Sequence, residues 1–193
     1  MLRRLLLPFA LALVFAPAGF PSGGHYVFDG GTRAQQAQVR AALNASSFDW
    51  GIVRGPVVIH IGRGEGAHAA AGEIWLDASL LDSGRFSWGV VQHEYAHQVD
   101  FAVLTDGMRA QLHALLGGSS WWGSEHQTLD CERFADLVAW SYWQSPDNVM
   151  KPASATDEGG QVVPARFRAA LEALLRPERA TASVKGRART PKG

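Results

Sequence analysis

Apolar and polar positions divide the chain into a strand-rich first part and a helical remainder. Tyr26-Val27-Phe28 is a short apolar run closed by Asp29-Gly30-Gly31, which predicts a strand and a turn. Residues 33–43 are rich in Ala and Gln, with Ala37, Val39 and Leu43 apolar, and predict a helix. After Gly55-Pro56, the β-branched run Val57-Val58-Ile59-His60-Ile61 predicts a buried strand, in which His60 reads as a core or edge histidine. Residues 62–72, with Gly62, Gly64 and Gly66, read as loop, leaving His68 exposed. Glu73–Asp77 alternates loosely and reads as a strand at a sheet edge.

From there the period changes. Residues 86–104 are strongly apolar through Trp88, Val90, Val91, Val99, Phe101 and Val103, which predicts a core helix. Thr105 or Asp106 caps a further helix through Leu116, stopped by Gly117-Gly118. Trp121 and Trp122 fall in the next loop and read as packed on the core. Ser124-x-x-Gln127 has capping-box spacing for a helix to about Gln144, ended by Ser145-Pro146. Residues 148–163 are a polar loop. Pro164 then opens a last amphipathic helix over residues 166–175, with Phe167, Leu171, Leu174 and Leu175 on one side. Strands first and helices after make an α+β domain.

The chain ends modify this picture. Arg3 and Arg4, the apolar run of residues 5–15 and Ala16-Pro17-Ala18 form a secretory signal. The run is shorter than the roughly 20 apolar residues a membrane span needs, and no later segment qualifies. A secreted chain with one domain over residues 19–175 follows. Beyond it, Arg176, Arg179, Lys185, Arg187, Arg189 and Lys192 against Glu178 read as a basic disordered tail, residues 176–193. Over the whole chain 18 Lys and Arg balance 18 Asp and Glu, so nothing in the overall charge points to nucleic acid. Cys131 is the one cysteine, which excludes an internal disulfide; it reads as a buried small apolar residue.

The candidate chemistry lies inside the apolar helix. In His93-Glu94-Tyr95-Ala96-His97 the two histidines are four apart, on one helix face, so both imidazoles reach one point in space. Imidazole suits Zn²⁺, and Glu94 stands beside the metal as a base for its water. A Glu and two His are costly to bury in such a helix unless paired or ligated. A catalytic zinc needs a third protein ligand. Asp100, Glu125 and Glu132 follow closely enough to be considered. Asp100 shares the face of His97 one turn on and reads better as a cap or as partner to a ligating histidine. A ligand six residues after His97 would fall on Val103, which closes that route. Glu132 and Asp136 lie at i and i+4 of a largely apolar helix, and two carboxylates on one face call for a cation. That places Glu132 on the metal and Asp136 on the free ring N–H of a ligating histidine. The competing reading is a solvated face with Arg133 as counter-charge.

His93-Glu94-x-x-His97 followed by Glu132-x-x-x-Asp136 resembles the gluzincin branch of the zincin metallopeptidases, over about residues 57–143. The resemblance implies a mixed sheet over the active helix, zinc in a cleft below an edge strand (here Glu73–Asp77), and a peptide or protein substrate added to that edge. It implies Glu94 as general base and a His or Tyr donor to the oxyanion. His126 is the first candidate for that donor; Tyr142, Tyr95 and His113 are alternatives. A reading of another class is a non-catalytic, zinc-stabilised binding module.

Overall fold

The computed structural model describes residues 24–123, 129–157 and 159–187. The predicted signal segment, residues 1–18, and the capping-box residues Ser124 and Gln127 lie outside them. The fold is mixed α+β, with one four-stranded sheet and six α-helices in the described residues.

Strand β1 (Tyr26–Gly30) leads through helix α1 (Arg33–Ala45) to strand β2 (Val57–Gly62), which pairs with it in parallel. Thr32 caps α1 in a reciprocal box: its hydroxyl accepts from the Gln35 N–H, and the Gln35 carboxamide accepts from the Thr32 N–H. Strands β3 (Ala67–Ala70) and β4 (Glu73–Asp77) form an antiparallel hairpin, and β4 also pairs in parallel with β2. The order is therefore β1-β2-β4-β3. Val57, Ile59, Ile61, Ile74 and Leu76 alternate onto the core face, where all are buried.

Two expectations change here. Glu73–Asp77 is an interior strand, and the edge beside the helices is β3, within the stretch read as loop. Ala67-His68-Ala69-Ala70 has no β-branched residue, so local preference gives no strand signal. The pairing with β4 across Ala71 and Gly72 makes it one, with Gly72 at φ 83° where the chain reverses.

After the short helix α2 (Ala78–Asp82), helix α3 (Trp88–Ala102) crosses the centre of the molecule. It packs on α1, on β3 and on α5 (Asp130–Tyr142). Covered on several sides, it buries polar as well as apolar residues, Gln92, Gln98 and Asp100 among them. Each of those has partners, as burial requires: Gln92, for example, donates to the carbonyl of Ala42 at 2.8 Å.

Helix α4 (Asp106–Leu116) starts and stops as predicted. The Thr105 hydroxyl caps its N-terminus, and Gly117 ends it at φ 70°. Helix α5 starts at Asp130 rather than at the predicted capping box. A bridge between Ser120 and Leu129, with the Asp130 N–H donating to the Ser120 carbonyl at 2.9 Å, holds Leu129 extended. Asp130 and Glu132 consequently lie in its first turn, where carboxylates complement the helix dipole. Helix α6 (Pro164–Arg187) buries Phe167, Leu171 and Leu175, then runs past the expected end into the segment read as a disordered tail. Ala, Glu and Arg there are strong helix formers. No helix of the described residues is long and apolar enough to cross a membrane.

Candidate metal centre

Helices α3 and α5 bring the motif residues together. His93, Glu94, His97, Glu132 and Asp136 are each no more than 8% exposed. The Nε2 atoms of His93 and His97 stand 3.2 Å apart, as the i, i+4 spacing requires. Glu132 Oε2 lies 3.3 Å from the first and 3.5 Å from the second. Donors at 2.0–2.1 Å from the centre of a tetrahedron are about 3.3 Å from one another. The three atoms thus have the separations of three corners of a zinc-sized tetrahedron.

Glu94 belongs to the same buried group, its ligand atoms and those of His93 and His97 all lying within 4.8 Å of one another, and these residues could hold a metal ion. Two carboxylates therefore border the position. The Glu132 oxygen, at 3.3 and 3.5 Å from the two imidazole nitrogens, has distances that match the tetrahedral value.

Asp136 lies against His93. The His93 Nδ1–H donates to its Oδ1 at 2.7 Å, and in the neutral ring this leaves the Nε2 lone pair facing the site. Charge follows geometry. Burial opposes an imidazolium at His93, but the hydrogen bonds to Asp136 and Glu132 outweigh it and lift the ring to about 10. Burial would raise Glu132, yet His93 and His97 hold its carboxyl well below the usual range. Glu94 goes the other way: burial raises it against the pull of the two histidines. A raised carboxylate is a stronger base, the property proton transfer asks of it.

Asp100, expected as a cap or as partner to a histidine, does something else. Its two oxygens accept from Arg109 Nε at 2.8 Å and Trp121 Nε1 at 2.9 Å, and Arg109 also reaches its carbonyl at 2.7 Å. Three residues beyond His97, it is rotated about 60° off that ligand's face, towards α4 and the Trp121 loop. It fastens both to the end of α3.

The proposed oxyanion donors separate clearly. Tyr95 is fully buried on another side of α3, edge-on to Trp50 and Tyr26. Tyr142 lies ten residues (142 − 132) and so about 15 Å along α5 from Glu132, its hydroxyl donating to Glu172. His113 bonds Asp130. His126 lies outside the described residues; its described neighbours Gly123 and Leu129 both line the cavity.

That cavity, about 320 Å³, opens in front of the metal position between β3, α3 and the start of α5. Cys131 lines it, buried, with its thiol pushed up to about 12 by burial. The two tryptophans divide. Trp121 packs on Phe134, whereas Trp122 is 48% exposed and lies on Phe101, which in turn stacks on His97.

Gln98, which the sequence reading passed over, ties the cavity's upper rim to the metal helix. Its Oε1 accepts from the Gly72 N–H at 2.8 Å, and its Nε2 donates to the carbonyls of Ala70 at 2.8 Å and Glu73 at 3.0 Å. One residue from His97, it sets the height of β3 above the site. Gln98→Ala leaves three hydrogen-bonding groups at the hairpin turn without this partner. It should lower unfolding stability by about 1–3 kcal/mol, read from the midpoint of urea denaturation.

No family model matches this chain, and no curated protein or solved structure matches it either.

Proposed function

We propose that the chain is a secreted, zinc-dependent metallopeptidase of the gluzincin type, with His93, His97 and Glu132 as metal ligands. The observation that carries this reading is the tetrahedral spacing of their three donor atoms beside a buried Glu94. Two imidazoles and one carboxylate are a zinc set that leaves a fourth position open for water. When bound, zinc supplies Lewis acidity, bringing the pKa of a coordinated water towards 7 and polarising a carbonyl.

The chain's own residues do the rest. Glu94, its basicity raised by burial, takes a proton from the attacking water and delivers it to the leaving amine. Asp136 keeps the His93 ring in the ligating tautomer. The edge of β3, unpaired among the described residues, offers main-chain donors and acceptors to an extended peptide, which aligns it along the cavity with little demand on sequence. Phe101 and Trp122 close the opposite side against bulk water.

The test is metal content together with chelator-sensitive cleavage of a broad peptide library by the purified mature chain. One zinc per chain with cleavage supports the proposal; zinc without any cleavage would leave a binding module. Asp136→Asn should weaken zinc affinity by roughly 10–100-fold, measured by competition with a fluorescent chelator, and an unchanged affinity would remove Asp136 from the site.

A further inference from the structure

The face of the sheet turned away from the core carries a row of rings that the proposed chemistry does not use. His60 on β2, Trp75 on β4 and His68 on β3 are cross-strand neighbours in register. His60 lies on the indole with centroids 5.0 Å apart and planes 14° from parallel; His68 covers its other side at 4.7 Å and 4°. The inner end of the row is pinned. His60 Nδ1 bonds Asp29 at 2.9 Å, and its Nε2 faces Glu73 at 3.4 Å.

The outer end is open. His68 is exposed on the edge strand, and among the described residues no ring lies on the side away from Trp75. Ala67, His68 and Ala69 also border the metal cavity. The spacing of the rings is that of the strands themselves, about 4.7–4.9 Å. A strand added to the edge of β3 that no described strand pairs would therefore set one side chain against the open face of His68, as the next step of the row.

On the peptidase reading above, we propose that this ladder is a specificity subsite that selects a substrate with an aromatic side chain at the position beside His68. The selected side chain lies on the outer face of the added strand, opposite those that point into the cavity. Planar rings gain most there, because an offset stack on an imidazole backed by indole adds to plain apolar burial. Trp122, across the cavity, cannot serve the same way. One side of its ring lies on Phe101, and the Arg109 guanidinium stands over it at 5.7 Å.

The experiment uses zinc-loaded protein and quenched fluorescent peptides in which one position at a time carries Phe, Tyr, Leu or Ala. At one position kcat/KM for Phe or Tyr should exceed that for Leu by roughly 2- to 12-fold. That ratio should fall to about 1 in His68→Ala and return in His68→Tyr. No aromatic preference at any position, or a preference that survives His68→Ala, overturns the subsite and leaves the peptidase reading standing. A wild-type protein that cleaves no peptide overturns that reading and the subsite with it. Circular dichroism of each variant confirms an intact fold, which the exposure of His68 favours.

Discussion

Glu94→Gln should lower peptide turnover by about 10²–10⁴-fold, the contribution expected of a positioned proton-transfer group, while zinc affinity stays close to wild type. The amide keeps the volume of the carboxylate and can still accept a hydrogen bond, but it cannot take a proton. Burial lifts Glu94 while the facing histidines restrain it, so the carboxylate is poised as a base. Kinetics and chelator competition on the same preparation separate the two roles Glu94 could have. Lost turnover with retained zinc identifies a base; lost zinc would make Glu94 the third ligand and displace Glu132.

Glu132→Ala should do the reverse. Removing a neighbour of a ligand costs about 10–100-fold in metal affinity, and removing a ligand should cost more than 100-fold. Two imidazoles alone remain, without the carboxylate whose oxygen lies 3.3 and 3.5 Å from them. The rise in Tm that zinc gives the wild type should disappear, because a ligand stabilises only as far as it binds the folded state. Zinc titrations followed by thermal denaturation read this directly. An undiminished Tm shift in Glu132→Ala would break the third-ligand assignment.

The pair is informative because the two carboxylates are close enough to compete for one ion. The 4.8 Å grouping admits Glu94, whereas the tetrahedral distances favour Glu132. Only the two substitutions together distribute ligand and base between them.

Much of the metal centre could be read from residue order, since the parts involved are local. The i, i+4 rule puts His93 and His97 on one face whatever surrounds the helix, and it does the same for Glu132 and Asp136. The ends of α4 followed for the same reason: Thr105 and Gly117 act within a few residues of themselves. The strands flanking α1 were legible as the short apolar run Tyr26-Val27-Phe28 and the β-branched run of residues 57–61, whereas their parallel pairing came from the fold.

What escaped the sequence was decided by distant partners. Ala67–Ala70 is a strand because β4 supplies its hydrogen bonds, and it is the edge because β2 holds the other side of β4. Gln98 acts through a turn more than twenty residues upstream. Asp100 bonds Arg109 and Trp121 from two other elements, so its nearness to His97 in sequence pointed to the wrong partner. Tyr95 shares the five-residue motif yet faces the core, one helical step away from the ligands. The sequence by itself determined which side chains share a helix face, because helical geometry repeats every few residues. Only the tertiary structure decided that the faces of α3 and α5 meet, which strand forms the rim above them, and where the row of rings ends. Those depend on contacts between segments far apart in the chain, which no local pattern encodes.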